Sequence, residues 1–416
     1  MTIRIEARRV LPGRGAPIDD GVVVLEDATI AFVGPADTAP ATPGAEVEVA
    51  DTVLPGLWDC HCHLFGVLSA DLHAVYLEPI ALRAARATKD LGRALAAGVT
   101  SVREAGGLGI HLARAVEEGS VAGPRVYAPG AILSTTGGHG DLHDVPLDWV
   151  HAFTPHEPAL RLCDGVADGM RAVREQLREG AAVIKICASG GVLSERDHPI
   201  HQQFTDAELR AIVEVAGLAE RAVMAHCHGK PGMMAAIEAG VRTIEHGTYL
   251  DEEVAAAMVE RDVLLVPTRL IVTELMEVGR AAGMSAAMFA KLAATDERHH
   301  DALALAHASG VRIAMGTDIA LSRPSLPAAW GNHGRELGLM AAAGMTPLQV
   351  LEAATANGPE TLGAQAPAAG QLLAGYDADV IAVDGDPSVD LAVLADPTNV
   401  RVVWQGGVKV HERPPA

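Results

Sequence analysis

Two histidines, separated by one cysteine, close the apolar run LPGLWDCHCH at residues 54–63. Successive side chains of a β-strand point to opposite faces, so His61 and His63 share one face, whereas Cys60 and Cys62 share the other. We therefore predict a buried strand whose two histidines point to the same place. A structural zinc site on the Cys-His-Cys-His run is the alternative, but this alternation opposes it, and no second cysteine pair follows.

Seven further apolar runs alternate with amphipathic segments along the middle of the chain. Strands that alternate with helices indicate a parallel sheet. With Leu54–Cys60 as the first strand there are eight candidates, and this number favours an α/β fold of the (β/α)8 TIM-barrel type. An open doubly wound sheet is the alternative. The seven runs are Gly98–Val102, Arg125–Ala128, Ala182–Ile186, Ala222–Ala225, Val241–Ile244, Val263–Val266 and Val311–Met315.

Polar side chains accompany five of these strands. In a barrel the carboxyl ends of all strands meet on one face, so we expect these side chains to converge there. Imidazoles and a carboxylate are ligands that suit zinc and similar ions. Each residue alone has an ordinary structural explanation, and it is their order on successive strands that indicates a metal site. The candidates are His61, His63, Lys185, His226, His246 and Asp318.

Both ends of the chain are rich in short alternating strands, such as Ile3–Ala7 and Ala378–Val383, whereas the middle is not. We predict that residues 1–56 and 365–416 form one small composite β-sandwich domain. Residues 57–364 are then the barrel. Two unrelated β segments at the two ends are the alternative.

The composition excludes several classes of partner. The 53 acidic and 32 basic residues give a net charge of −21, which repels phosphate backbones and anionic lipid, and aromatic residues make up only 3%. We expect a small-molecule partner, no nucleic acid and no membrane, and a homo-oligomer is compatible with the sequence. Five cysteines do not suggest a disulfide framework. Residues 1–12 lack the apolar core of a signal peptide, and no apolar run reaches roughly 18 residues, so we expect a cytoplasmic protein.

The sequence resembles the amidohydrolase superfamily over essentially the whole chain. The motifs that carry this resemblance are LPGLWDCHCH at 54–63, IEHG at 244–247, MGTD at 315–318 and GYDADV at 375–380. Two motifs are similar to its imidazolonepropionase-related branch of metal-dependent carboxypeptidases, prolidases and ochratoxin-type amidases. They are STTGGHGD at 134–141 and IKICASGG at 184–191. The sequence contains no HExxH, GxSxG or phosphate-loop signature of other enzyme classes.

The resemblance implies two divalent metal ions, with zinc expected. It implies His61, His63 and Asp318 on one ion, His226 and His246 on the other, and Lys185 between them as an N6-carboxylated bridge. A carbamate carries one negative charge and two oxygens, which suits two neighbouring cations better than an ammonium does. An unmodified lysine beside a single metal is the alternative.

The resemblance further implies hydrolysis of an amide C–N bond, in which a metal-bridged hydroxide attacks the carbonyl. Asp318 would act as the acid and base that carries the proton from water to the leaving nitrogen. The expected substrate is an N-acyl amino acid, a dipeptide or a similar small amide, as for a carboxypeptidase or amidase. The alternatives are a cyclic amide, urea or carbamate as substrate, and a non-catalytic ligand-binding barrel.

Four further residues are candidates for contact with the substrate. His139 lies in a glycine-rich loop and is expected to hydrogen-bond the substrate carbonyl or the oxyanion. His228 shares a strand face with His226, at a position where several prolidases and carboxypeptidases of the branch carry tyrosine, which puts their substrate preference in doubt here. Arg269 and Arg323 are candidate anchors for a substrate carboxylate.

Overall fold

The computed structural model of the chain describes residues 2–71, 73–154, 159–192, 194, 196–279 and 284–413. Seventeen strands lie in these ranges. They are β1 (Thr2–Val10), β2 (Ile18–Glu26), β3 (Thr29–Pro35), β4 (Glu46–Pro55), β5 (Leu57–Val67), β6 (Val99–Glu104), β7 (Arg125–Tyr127), β8 (Ile132–Ser134), β9 (Leu160–Leu162), β10 (Ile184–Cys187), β11 (Val223–Cys227), β12 (Thr243–His246), β13 (Leu264–Val266), β14 (Ile319–Leu321), β15 (Val380–Val383), β16 (Val400–Gln405) and β17 (Val408–Glu412).

The same ranges contain fourteen α-helices and three short 3-10 turns at 36–38, 363–365 and 397–399. None of these helices combines the length and the apolar character that crossing a bilayer requires. The α-helices are α1 (Ala74–Leu77), α2 (Ile80–Ala96), α3 (Gly109–Glu117), α4 (Leu147–Phe153), α5 (Val166–Glu179), α6 (Asp206–Leu218), α7 (Lys230–Ala239), α8 (Glu252–Glu260), α9 (Arg269–Val278), α10 (Ala286–Ala308), α11 (Arg335–Ala342), α12 (Pro347–Ala353), α13 (Asn357–Glu360) and α14 (Ala392–Ala395).

The two ends of the chain meet in one seven-stranded sheet of order β17-β16-β15-β4-β1-β2-β3. One face of this sheet carries a separate hydrophobic core, in which Ile5 of β1 packs with Val380 and Trp404. Residues on the opposite face, such as Ile381, belong to the large core of the middle of the chain. The seven strands form one continuous hydrogen-bonded sheet, and the predicted sandwich arrangement of this unit stays a prediction.

The middle of the chain contains two parallel sheets, of order β13-β12-β11-β10-β8-β9 and β14-β5-β6-β7. Backbone hydrogen bonds link the two sheets at two places. Ala182 N donates to Ala128 O at 2.8 Å, which connects the segment after β7 to the segment before β10. Cys60 N donates to Met315 O at 2.8 Å, and Ile313 forms a β-bridge to Leu265 of β13. The carboxyl ends of these strands therefore surround one region.

Six of the predicted strands lie within two residues of the observed ones at each end, and two differ by more. The first strand spans Leu57–Val67, so that His61 and His63 lie within it rather than at its end. The predicted run Val311–Met315 forms only the bridge at Ile313. The chain leaves the strand direction just after this run, because the backbone N–H groups of Thr317 and Asp318 both donate to His61 O, at 3.1 and 2.6 Å.

Candidate metal centre

One group of possible metal ligands joins the first strand to the segment after the eighth apolar run. His61 and His63 lie on β5, and Asp318 immediately precedes β14. The Nε2 atoms of His61 and His63 lie 3.6 and 3.2 Å from Asp318 Oδ1. One ligand atom from each of the three residues falls within 4.8 Å of the other two. Two imidazoles and a carboxylate at this spacing suit a single zinc-like ion.

A second group lies at the ends of two neighbouring strands. His226 is on β11, His228 follows that strand, and His246 ends β12. Their ligand atoms also lie within 4.8 Å of one another, and His226 Nδ1 is 2.8 Å from His246 Nε2. The His61 and His246 rings, with centroids 4.9 Å apart, bring the two groups side by side. The structure thus brings together all the histidines that the sequence analysis assigned to metal.

Lys185, on β10, has a side chain that is buried beside these groups. Its Nζ lies 3.4 Å from His61 Nε2, and within the described part of the chain it forms no ion pair. Burial lowers the pKa of this amine, although the charges of Glu245 and Asp318 oppose the shift. A buried ammonium without a counter-ion is costly, so this environment fits an anionic carbamate between cations better than a free charged lysine.

Hydrogen bonds to residues outside the two ligand groups orient several of the histidine rings. In four of the histidines Nδ1 is hydrogen-bonded in this way, which fixes the ring and leaves Nε2 for a ligand. The pairs are His61 with Glu245 Oε2 at 2.6 Å, His63 with Gly106 O at 2.8 Å, His228 with Thr248 Oγ1 at 2.7 Å, and His246 with Thr268 Oγ1 at 2.7 Å.

Glu245 is a site residue to which the sequence analysis gave no role. Its carboxylate accepts from Arg103 Nη2 at 2.8 and 2.9 Å, and both side chains are fully buried. Burial acts to raise the pKa of Glu245, but the Arg103 guanidinium and the His61 hydrogen bond hold it at about 2. The signal in the sequence is a pair of opposite charges, Arg103 and Glu245, each directly after a run that is predicted to be a buried strand.

The buried histidines are held in the neutral form that binds metals. Burial lowers the pKa of His61 to about 4 and that of His228 to about 3. The pKa values of His226 and His246 lie well below the ordinary value for the same reason. Since only a neutral imidazole can donate a lone pair to a cation, these rings are prepared for metal binding.

The backbone is strained at two of the candidate ligands. His246 has φ = 69° and Asp318 has φ = 59°, in the left-handed region that residues with a Cβ rarely adopt. Thr268, the hydrogen-bond partner of His246, has φ = 55°. Such conformations persist where the surrounding structure fixes them, and they concentrate at functional sites.

The two groups lie at the base of a cavity of about 170 Å³. Its base is polar, whereas its walls are mostly aliphatic and aromatic, and Lys185 is its single Lys or Arg among the described residues. Leu142 belongs to the wall, and residues 155–158 lie outside the described ranges. Representative wall residues are Phe65, Tyr76, Leu142, Leu160, Val272 and Leu321.

Of the four predicted substrate contacts, His139 and His228 line this cavity and the two arginines do not. Arg269 begins α9, and its guanidinium bonds to Asp296 O at 3.1 Å and Oδ1 at 2.9 Å. That pairing turns the side chain away from the cavity. Arg323 is exposed and is also absent from the lining. The expectation of an arginine anchor in the cavity is therefore wrong for this structure.

Comparison with known sequences agrees with this geometry. A sequence model described as "Amidohydrolase family" matches residues 52–410. The chain belongs to the amidohydrolase family. Ochratoxinase of Aspergillus niger is 41% identical over 419 residues, which cover 97% of this chain and 85% of the relative. Imidazolonepropionase of Nocardia farcinica is 26% identical over 418 residues, which cover 94% and 92%.

Solved structures give the same result. The crystal structure of A. niger ochratoxinase has a TM-score of 0.90 and 39% identity, over 100% of this chain and 96% of that chain. A prolidase complexed with N-methylphosphonate-L-proline has a TM-score of 0.91 and 33% identity, over 99% and 100%. The superfamily and the branch predicted from the motifs are confirmed. The chain is a hydrolase that acts on amide C–N bonds.

Proposed function

We propose that this amidohydrolase cleaves the C–N bond of a small amide at a binuclear metal site, in the manner of a carboxypeptidase or amidase. The favoured substrates are N-acyl amino acids or dipeptide-like amides that carry a large apolar group. The observation that carries this proposal is that two groups of ligand atoms, each within 4.8 Å, adjoin at the base of an apolar cavity.

The donor set supports two ions. His61, His63 and Asp318 would hold one, and His226 and His246 the other. Lys185, carboxylated on Nζ, would bridge them, and its burial without an ion pair supports that modification. Divalent cations, zinc by the donor types, supply activated water and a polarised carbonyl when bound.

Asp318 is placed to move the proton of the reaction. Burial acts to raise its pKa, but the neighbouring His61 and the hydrogen bond with His63 hold it at about 2, so the carboxylate is ionised at neutral pH and can accept a proton. The Oδ1 atom lies 3.2 Å from His63 Nε2, which fixes the carboxylate at the base of the cavity. Delivery of this proton to the leaving nitrogen is what makes an amine a competent leaving group.

The cavity walls support the apolar part of the substrate. Phe65, Leu160 and Val272 belong to a lining that is mainly apolar, and such walls exclude water and strengthen the polar interactions at the base. His228 lies with its Nδ1 on Thr248, so its other nitrogen is free to meet a polar group of the substrate. This arrangement suits an amide that is flanked by an apolar group.

A second candidate is the hydrolysis of a neutral urea, carbamate or cyclic amide. The observation in its favour is that neither Arg269 nor Arg323 lines the cavity, so a carboxylate on the substrate has no guanidinium partner there. A substrate without a carboxylate needs no such guanidinium, so its binding is not weakened by the lack of one.

We also propose that the middle of the chain closes into a (β/α)8 barrel. The hydrogen bonds from Ala182 to Ala128 and from Cys60 to Met315, with the β-bridge between Leu265 and Ile313, support eight positions in a ring. The barrel would comprise residues 57–364, and residues 1–56 with 365–416 would form the composite β domain. The change from β4 to β5 at residues 55–57 agrees with the first boundary.

The test is a substrate panel on the zinc-loaded protein. The panel contains N-acyl amino acids with large and small apolar groups, Xaa-Pro dipeptides, ochratoxin, and neutral ureas and carbamates. We expect amides with large apolar groups to show the highest kcat/KM. Preferred cleavage of ureas or carbamates would favour the second candidate, and no hydrolysis of any C–N substrate would contradict both.

A further inference from the structure

The apolar wall of the cavity continues into an aromatic surface on α4. Tyr76 belongs to the cavity lining, and its ring centroid lies 6.5 Å from that of Phe153. Trp149 lies four residues before Phe153, so the two side chains share one face of this helix. We call Tyr76, Phe153 and Trp149 the rim patch. It forms a row of rings that begins in the cavity and ends on the outside of the protein.

The outer two rings of the rim patch are turned to solvent. Trp149 is 58% exposed and Phe153 is 37% exposed. Val150, between them in sequence, is buried in one core cluster with Leu142 and Leu160, which line the cavity. One face of α4 is thus anchored on the cavity wall, while another presents two aromatic rings to the outside. Large apolar side chains exposed beside a cavity indicate a binding surface.

The size of this surface fits part of a substrate better than a protein partner. An aromatic side chain carries roughly 150–250 Å², so the exposed parts of Trp149 and Phe153 amount to roughly 200 Å². A stable interface covers about 800 Å² on each partner. With the exposed Leu77 and Leu147 of α1 and α4, the surface reaches the few hundred Å² that ligand sites commonly expose. The contact of Phe153 with Tyr76 makes it continuous with the cavity.

We propose that the rim patch is an outer subsite, which binds an uncharged alkyl or aryl group of the substrate where this group leaves the cavity past Tyr76. The inference rests on the proposed function for the amide nature of the substrate, and it adds that the apolar part of that amide extends beyond the cavity. Trp149 and Phe153 are then specificity-determining residues. Because they lie outside the cavity lining, they should act on substrate binding and not on bond cleavage, so their contribution falls on KM.

Trp149 can itself report whether the subsite is filled. All four tryptophans lie in the described ranges, and Trp58, Trp330 and Trp404 are buried. Acrylamide, which quenches exposed indoles, should therefore quench mainly Trp149, and Trp149→Phe should lose this quenchable fraction. The measurement uses the zinc-loaded protein with ketone analogues, in which CH₂ replaces the amide N–H so that no hydrolysis occurs. One analogue carries a dodecyl chain on its acyl side, a second carries it on its amine side, and a third carries only short groups.

Below the concentrations at which these analogues form micelles, we expect at least one dodecyl analogue to shield Trp149 from acrylamide. The short analogue alone should not shield Trp149, and an excess of it should displace the dodecyl analogue and restore quenching. Absence of shielding by both dodecyl analogues, or shielding that the short analogue cannot reverse, would overturn the inference. If Trp149 is shielded without ligand and becomes accessible on dilution, the surface is an interface between copies of this chain, and the inference is wrong.

The second test uses the amides that correspond to the shielding analogue and to the short analogue. We expect Trp149→Ala to raise the ratio of the long-chain KM to the short-chain KM by roughly 3- to 10-fold, because it removes apolar contact area for the long chain. Leu218→Ala, which removes an exposed leucine at the end of α6, should leave the ratio unchanged. An unchanged ratio in Trp149→Ala would overturn the inference. If the wild-type protein hydrolyses neither amide, the proposed function fails, while the quenching measurement still decides whether the rim patch binds an apolar chain.

Discussion

His61 and Glu245 are joined by a buried hydrogen bond, with His61 Nδ1 2.6 Å from Glu245 Oε2. The carboxylate is held from its other side by Arg103, whose Nε in turn donates to Cys60 O at 2.7 Å. His61 is thereby oriented with Nε2 towards Asp318. Because an anionic partner raises the basicity of a ligating imidazole, Glu245 should contribute to metal affinity without touching a metal.

The first prediction concerns Glu245→Gln. The substitution keeps the shape of the side chain but removes the charge behind His61. We expect metal affinity to fall by about 10- to 100-fold, measured by competition with a chelator. Glu253→Gln, which removes an exposed carboxylate paired with Lys230, is the matched control and should bind metal normally. Unchanged affinity in Glu245→Gln would show that the outer carboxylate has no influence on the site.

The second prediction concerns the proton carried by Asp318. Asp318→Asn cannot accept or deliver this proton, so we expect kcat to fall on the order of 10²- to 10⁴-fold in a folded, largely metal-loaded protein. Asp301→Asn, at an exposed position of α10, should keep full activity. Turnover close to that of the wild type in Asp318→Asn would remove Asp318 from the reaction.

The third prediction concerns the apolar wall. Val272→Phe places a ring in the cavity, and we expect kcat/KM for substrates with large apolar groups to fall roughly 10- to 200-fold, while substrates with small groups are much less affected. Val259→Phe adds the same bulk at an exposed position of α8 and should change neither. An equal loss on large and small substrates would mean that this wall does not receive the apolar group.

The fourth prediction concerns His73, which pairs with two carboxylates close in sequence to residues that line the cavity. His73 Nδ1 lies 2.6 Å from Asp71 Oδ1, and Nε2 lies 2.9 Å from Asp144 Oδ1, so a protonated His73 joins the chain segments of Ser69 and Leu142, which line the cavity. Burial acts to lower the pKa of His73, but the two hydrogen bonds raise it above its usual value, and Arg196 lies near enough to act on Asp144.

A raised folded-state pKa means that this stabilisation is complete below about pH 6.5 and is lost as pH rises through the folded-state value. We therefore expect amide hydrogen exchange around residues 138–145, corrected for the intrinsic effect of pH, to accelerate over that rise in the wild type. His73→Gln should exchange quickly throughout. The same acceleration in His73→Gln would assign the pH effect to another group.

Much of the site could be predicted from the sequence for two reasons. Strand alternation depends only on neighbouring residues, and a barrel brings the carboxyl ends of all its strands to one face. The alternation in residues 57–63 is enough to place His61 and His63 on one face, and the position of Lys185, His226 and His246 on later strands brings them to the same region. The capping box between Thr205 and Glu208 at the start of α6 is a further feature that depends only on neighbouring residues.

The remaining features depend on partners distant in sequence. Arg269 was a plausible anchor until the structure showed its guanidinium on Asp296, a pairing set by how α9 packs on α10. Glu245 acquires its role only because β6 and β12 bring Arg103 and His61 to it. The predicted eighth strand is reduced because the segment after it turns to bond with His61 O. Periodicity carries no information on such contacts.

The fifth prediction concerns Lys185. Lys185→Ala removes the bridge, and we expect kcat to fall on the order of 10²- to 10⁴-fold, with partial recovery when a short-chain carboxylate such as acetate or propionate is added to replace the carbamate oxygens. Lys230→Ala, which removes an exposed lysine, should keep normal activity. Full activity in Lys185→Ala would exclude a bridging role.

The central claim is that the two ligand groups hold two ions across a modified lysine. The most direct measurement is the number of metal ions per chain, determined by elemental analysis of the wild-type protein after dialysis against zinc and then metal-free buffer, with ¹³C-bicarbonate present so that a carbamate carbon is visible by NMR. The account predicts two ions per chain and a carbamate signal that is absent from Lys185→Ala. One ion per chain, with no carbamate signal in the wild type, would contradict it.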